Sequence, residues 1–259
     1  MRSPGKPPGP VDNETSNPRS YHVQRTPIGY FAVESLLAAI PRGPHVQSMV
    51  NFNRFNDRHD AGRRLAGALK DAGIEADIVL AIPRGGLPLG RVVADELGAE
   101  LDVVVAQKIG APGNPEFALG AVASDGSVWR NEQAFSVGYG DSAYFDNQRA
   151  RKAEAARAKL RQYRGTDTLP DVSGRTVVLV DDGIATGSTM RACLAQIREA
   201  GPDRLVVAVP VGPPDTIRDL ESVADVVICP LVPRRFQSVG QYYDRFDQVR
   251  DEVAKSYLD

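Results

Sequence analysis

Residues 181–189 read Asp181-Asp182-Gly183-Ile184-Ala185-Thr186-Gly187-Ser188-Thr189, two adjacent carboxylates followed by small and hydroxylated residues. The apolar run Val177-Val-Leu-Val180 before them predicts a strand, and Ser188 to Ala200 after them a helix that Gly201 ends. A strand therefore delivers two carboxylates at its carboxyl end, and the loop opens directly into a helix. Backbone N–H groups of such a loop, with the helix N-terminus, make an anion cradle. Thr186, Ser188 and Thr189 add hydroxyl donors. The carboxylates suit sugar hydroxyls or Mg²⁺. A sugar phosphate satisfies both halves. No Gly-Lys-Ser/Thr occurs there, so this is not a Walker A loop, and the Gly-x-Gly-x-x-Gly spacing is absent as well.

A second candidate follows the strand Asp77-Ile-Val-Leu-Ala-Ile82. It is Pro83-Arg84-Gly85-Gly86, ahead of a helix from Leu87 to Leu97 that Gly98 stops. Glycine lets backbone approach a highly charged group, and Arg84 supplies a forked cation. Ile82–Pro83 is an X-Pro bond, where cis costs only ~0.5–1 kcal/mol. A third candidate, Lys108, lies just past the strand Leu101 to Ala106.

These loops need a frame. Asp57 can cap a helix from about His59 to Ala72. Leu205 to Pro210 and Val226 to Cys229 are further apolar strands, with a helix near Asp215 to Val223 between them. Continuous apolar strands alternating with helices predict an α/β fold with a five-stranded parallel sheet covered on both faces. Ligands then bind beyond the carboxyl ends of the strands. Residues 107–170 interrupt the alternation. Ala111-Pro-Gly-Asn-Pro115 reads as a loop, Ala118–Ala123 and Ser127–Arg130 as a hairpin, and Asp141 to Arg164 as one long charged helix. Val239 to Leu258 is expected to be helical.

Residues 1–48 hold eight of the 19 prolines and predict a largely disordered tail with one short helix at 32–39. The organised domain is expected over 49–259, and Met49 is an alternative start. The net charge of −2 gives no global attraction for nucleic acid or anionic lipid. Two cysteines and three scattered histidines argue against a disulfide framework and a zinc site, and point to a reducing cytoplasm. No apolar run reaches the ~20 residues of a membrane helix.

The 177–189 stretch resembles the phosphoribosyl-diphosphate (PRPP) motif of type I phosphoribosyltransferases, and Ile82 to Gly86 resembles that family's pyrophosphate loop. The likeness extends from about Asn56 to Phe246. It implies that Asp181 and Asp182 hold the ribose hydroxyls and, indirectly, Mg²⁺. It implies that Ala185, Thr186, Gly187, Ser188 and Thr189 bind the 5′-phosphate. Pro83, Arg84, Gly85, Gly86 and Lys108 would face the pyrophosphate, with Ile109 to Phe117 as a mobile lid, and the cis peptide that the family often carries in the pyrophosphate loop would fall at Ile82–Pro83. A C-terminal hood over 230–259 would offer Phe236 to stack an acceptor base, whereas Tyr242, Tyr243 and Phe246 suit core packing. Gly183 departs from the family's usual aliphatic residue and is expected to loosen the loop. Ala185 stands where hypoxanthine-guanine enzymes carry an aspartate; the run Ala185 to Met190 looks instead like adenine phosphoribosyltransferases, but the acceptor stays open.

The implied activity is Mg²⁺-dependent transfer of phosphoribose from PRPP to a nitrogenous base, with pyrophosphate released. A homodimer is the form that many type I members take, and the resemblance implies it here. The alternative is a PRPP-sensing regulator without turnover. Helix 146–164 carries seven Lys and Arg against Asp146 and Glu154, a local excess that suits either a solvated face or a nucleic acid.

Overall fold

The computed structural model describes residues 54–138 and 141–259; the expected tail and its helix at 32–39 lie outside them. Among the described residues eight strands form two sheets. The main sheet holds β1 (Ile78–Ala81), β2 (Glu100–Val103), β6 (Thr176–Val180), β7 (Arg204–Ala208) and β8 (Val226–Ile228), in the order β2-β1-β6-β7-β8 and parallel throughout. This is the expected five-stranded core. Val177 to Val180 and Ile78 to Ala81 are buried on both faces, which is why they read as unbroken apolar runs.

Register places the chemistry. Ile78 pairs with Val177 and Ala81 with Val180, so β1 and β6 end at the same level. The loops that follow them leave the sheet side by side.

The helices begin and end where local chemistry dictates. The Asp57 carboxylate accepts from the Asp60 amide at 2.9 Å and caps α1 (Arg58–Asp71), a contact worth ~1 kcal/mol. Helix α2 (Gly86–Leu97) ends on Gly98 at φ +67°. Helix α5 (Ser188–Glu199) and α6 (Pro214–Leu220) complete the crossovers. One face of the sheet packs on α1, α2 and the C-terminal segment, through Leu65, Leu69, Leu89 and Tyr243. The other packs on α5, through Met190, Leu194 and Ile197. Among the described residues no helix is long and apolar enough to cross a membrane.

The insertion is a three-stranded antiparallel sheet, β3 (Ala106–Ala111), β4 (Asn114–Ala123) and β5 (Val128–Arg130), followed by the short helix α3 (Glu132–Ser136) and the long α4 (Ser142–Arg164). The β4–β5 hairpin and α4 match expectation. Two details differ. The run Leu101 to Ala106 is not one strand: β2 stops at Val103 and β3 starts at Ala106 in the other sheet. Val103, Val104 and Val105 are all buried, so the apolar run continues across the junction between sheets. The 111–115 segment is the tight turn of the β3–β4 hairpin rather than an open loop. Gly110 permits it, because a Cβ there would fall 2.5 Å from the Pro115 carbonyl oxygen.

The C-terminus also differs. A 3₁₀ turn covers Val239–Tyr242 and a helix α7 only Asp251–Lys255, not the whole of 239–258. Tyr243 instead bridges to Phe55 like a strand, with Phe55 donating to the Tyr242 carbonyl at 2.8 Å and Asp244 to the Phe55 carbonyl at 2.9 Å. This pairing with the start of the domain outcompetes the helical spacing of the aromatics.

Candidate active site

The site forms where the β1 and β6 loops meet. Gly85 lies so close to the Asp182 side chain that a Cβ on it would sit 1.9 Å from Oδ2. At Gly86 the approach is looser, 3.1 Å from such a Cβ to the Val180 carbonyl oxygen and 3.3 Å to the Asp181 Cα. Gly85 is therefore the position that the Asp182 carboxylate requires to be glycine. The cis peptide of this loop is Pro83–Arg84, one bond later than expected. The expectation placed the family's cis peptide on the X-Pro bond, where cis is least costly.

Asp181 and Asp182 are both sheltered. The Asp182 amide donates to Asp181 Oδ1 at 2.8 Å. Burial, with the Asp182 charge beside it, holds the Asp181 carboxyl well above the usual carboxylate range. Burial raises Asp182 too, against the opposing pull of Arg58. Arg58 Nε donates to Asp182 Oδ2 at 2.8 Å, and its guanidinium stacks 4.0 Å over the Phe246 ring. The Tyr243 hydroxyl donates to the Asp182 carbonyl at 2.6 Å.

Arg58 and Tyr243 are contacts that sequence reasoning missed. For Arg58 one signal existed. It is the first residue of α1, where the helix dipole disfavours a cation. A cation placed against the dipole has a partner elsewhere, and here the partner is Asp182.

Gly183 follows at φ +154°, and a Cβ there would meet Val239 Cγ1 at 2.5 Å and Val211 Cγ1 at 3.0 Å. The departure from an aliphatic residue therefore does not loosen the loop. Two valines from other segments fill the space that such a side chain would take. Gly187, at φ +69°, caps α5, so the amides of Ser188 and Thr189 begin the helix. The Thr186 and Ser188 hydroxyls lie 3.3 Å apart. Thr216 Oγ1 donates to the Ala185 carbonyl at 2.8 Å, and Arg191 to the Thr186 carbonyl at 2.8 Å, so the loop is held from outside.

The remaining expected residues are distributed as follows. Arg84 points toward α4 and α7, 3.5 Å from Asp251 Oδ2. Lys108 sits in mid-strand of β3, opposite Ala121, and not at the end of a main-sheet strand. Phe236 stacks on Tyr242 with centroids 5.7 Å apart. Tyr242 and Tyr243 are buried in the core, as their spacing suggested, although not on a helix. The cations of α4 lie mostly on its solvated face, opposite the buried stripe Ala153, Ala156, Leu160 and Tyr163, and several have partners. Arg157 and Arg161 pair with Glu154, Arg164 pairs with Asp102, and Arg149 donates to the Gly126 carbonyl. Lys159 lies half-buried near Arg84. It flanks the buried stripe Ala153, Ala156, Leu160 and Tyr163, the one sign in the sequence that it differs from its neighbours. A cavity of about 780 Å³ lies against Trp129, Leu194 and Asp219, and shares only Thr186 with the 181–189 loop.

Comparison with known proteins agrees with this geometry. Residues 52–244 match the phosphoribosyl transferase domain. The chain belongs to the phosphoribosyl transferase family. A Mycobacterium tuberculosis H37Rv protein provisionally named a phosphoribosyl transferase is 42% identical over 206 residues, covering 79% of this chain and 46% of the relative. The chain thus spans about half the length of the curated relatives it matches most strongly. The crystal structure of TT1426 from Thermus thermophilus is 45% identical, covers 79% of this chain and 97% of that one, and superposes with a TM-score of 0.68. A Methanosarcina barkeri protein named transcriptional regulator GfcR 2 is 31% identical over 115 residues, 44% of this chain and 46% of that one.

Proposed function

We propose that this phosphoribosyl transferase domain moves the phosphoribosyl group of PRPP to a nitrogenous base and releases pyrophosphate. The observation that carries the reading is the contact of Gly85 with Asp182. PRPP carries its ribose hydroxyls and its diphosphate on neighbouring carbons. A site for it must place carboxylates and a diphosphate loop in contact, as these two loops are.

In this reading Asp181 and Asp182 accept hydrogen bonds from the ribose hydroxyls, with Arg58 and Tyr243 fixing Asp182. The amides and hydroxyls of residues 185–189 take the 5′-phosphate. Arg84 and the Gly85 amide hold the pyrophosphate as the C1–O bond breaks and the C1–N bond to the base forms, whereas the Gly86 N–H, expected to join them, donates to the Ile82 carbonyl at 3.1 Å. Charge develops on the departing oxygen, so donors already aimed there lower the barrier most. The β3–β4 hairpin acts as the lid that keeps water from C1. Ala185 has no proton to give or take, so the acceptor must attack without help from that position.

The donors suit Mg²⁺ in a particular way. Among the described residues no three His, Cys, Asp or Glu side chains gather into a cage. Two carboxylates at one strand end fit an ion that keeps its waters and shares the substrate's oxygens. Asp181 and Asp182 would hold it indirectly. When bound, Mg²⁺ supplies neutralisation of charge on the leaving pyrophosphate. The acceptor base, the Mg²⁺ requirement and a cytoplasmic homodimer belong to this proposal.

The sensing alternative draws support from the relative named as a regulator. Arg164 turns to Asp102 and Arg157 reaches the Ser124 carbonyl, which takes two of the seven cations from the face that a nucleic acid would need. The test is pyrophosphate release from PRPP and Mg²⁺, with each purine and pyrimidine base added separately. Base-dependent release that Asp182→Asn lowers at least ~100-fold, as loss of a positioned group does, is the expected result. PRPP binding with no release for any base would transfer the assignment to a sensor.

A further inference from the structure

The sequence predicts Lys108, which lies in β3, as the cation beside Arg84. The structure adds a second candidate. A pocket of about 430 Å³ opens between α4 and α7, lined by Arg84, Ala155, Ala158, Lys159, Gln162 and Asp251. It holds two cations and one carboxylate. We propose that Lys159 joins Arg84 in holding the diphosphate of the substrate, and that Asp251 occupies Arg84 until that anion arrives. This inference rests on the PRPP reading above and adds to it a binding residue from the insertion and a built-in competitor.

Three observations carry it. First, Lys159 makes no hydrogen bond or ion pair among the described residues, yet it is half-buried. Burial holds its ammonium below the usual lysine range, with Arg84 adding to the effect and Asp251 and Asp181 opposing it. A half-buried, unpaired ammonium is costly unless an anion joins it. Second, Arg84 belongs to the loop that follows β1 and also lines this pocket, so the pocket borders the strand-end site. Third, Asp251 is held more firmly by another group than by Arg84. Its Oδ1 accepts from the Tyr163 hydroxyl at 2.6 Å, whereas its Oδ2 lies 3.5 Å from Arg84 Nη1. Good charge-assisted bonds are about 2.7–2.9 Å. Tyr163 therefore keeps Asp251 in place when Arg84 turns to a stronger anion. A diphosphate brings more charge than one carboxylate and reaches two cations at once.

The arrangement also assigns α4 a purpose. Its Ala153, Ala156, Leu160 and Tyr163 dock the helix, and that docking sets Lys159 beside the β1 loop. The Ala155 and Ala158 side chains are short enough to leave an anion room to approach.

The experiment is calorimetric titration of the full chain with Mg²⁺-pyrophosphate and, separately, with ribose 5-phosphate. Lys159→Gln should weaken pyrophosphate binding about tenfold, the effect of one charged hydrogen bond, and leave ribose 5-phosphate unchanged. Lys159→Arg should retain most of the affinity, and Asp251→Asn should tighten pyrophosphate binding severalfold. Circular dichroism checks that each variant is folded. Wild-type pyrophosphate affinity in Lys159→Gln would overturn the role of Lys159, with the PRPP reading intact. Unchanged or weaker binding in Asp251→Asn would overturn the competition. Failure of the wild-type chain to bind either ligand would overturn the PRPP reading itself.

Discussion

Strands β1 and β6 of the parallel sheet are buried along nearly their whole length and end in register, whereas β5 of the inserted sheet is half-buried throughout and β3 is buried at only three of its six residues. The site inherits both characters. Where the β1 and β6 loops meet, positions are set by backbone approach, with glycines pressed against carboxylates and valines. In the insertion, positions are set by long side chains that reach across sequence, such as Arg157 to the Ser124 carbonyl and Arg164 to Asp102. Close backbone packing tolerates no added atom. Reaching side chains tolerate substitution but lose their hold when a charge is removed. The two regions should therefore break under different mutations.

The largest effect is expected at Gly85. A methyl group there needs the space of Asp182 Oδ2, so Gly85→Ala must displace either the carboxylate or the pyrophosphate loop. Displacing a reacting group by about 1 Å costs on the order of 100-fold in rate. Pyrophosphate release should fall by at least that factor with the fold retained by circular dichroism. A variant with near wild-type turnover would show that the loops do not act as one unit.

Next in size is Gly183→Ala. Forcing a methyl against Val239 and Val211 should destabilise by about 1–3 kcal/mol, as overpacking does. That lowers Tm by roughly 2–12 °C for a domain of this size. The Val239→Ala change in the same chain should restore part of the loss, because it vacates the contested space. If the double variant is only additive, the C-terminal segment does not brace the loop.

The same contrast explains what could be read from the sequence. The core strands, the Asp57 cap and the 181–189 loop follow local rules: apolar runs, capping residues and glycine at a turn. All of them are found. The end of β2 is not legible, because Val103 to Val105 stay buried while the chain passes from one sheet to the other and no polar residue marks the break. The C-terminal helix is shorter than its spacing predicts, because the competing pairing of Phe55 with Tyr243 joins segments from opposite ends of the domain. Within the site, Asp181, Asp182 and the glycines are legible as a motif. Arg58 and Lys159 carry only faint marks, a cation at a helix N-terminus and a lysine beside a buried stripe, and the fold alone shows which carboxylate or pocket each faces. Gly183 carries the opposite lesson. It looks like a defect in a familiar loop, and its cause is the presence of Val239, which is distant in sequence.

The smallest expected effect sharpens the comparison from the side of the insertion. Arg164 Nε donates to both Asp102 oxygens, at 2.7 and 2.9 Å, and its guanidinium also donates to the Thr168 carbonyl. This ties the last turn of α4 to the edge strand β2. Removing the charge in Arg164→Gln should cost about 1–3 kcal/mol, the range for hydrogen bonds to ionised groups, but the loss should be local. Amide hydrogen exchange separates the possibilities, because it reports the opening free energy of each segment. Amides in the C-terminal half of α4 should exchange about tenfold faster or more, while those of β1 and β6 hold their wild-type protection. Pyrophosphate affinity should then fall slightly, since α4 carries Lys159. Equal acceleration in β6 would mean that the insertion and the parallel sheet open together, and that the helix is as fixed as the core it flanks.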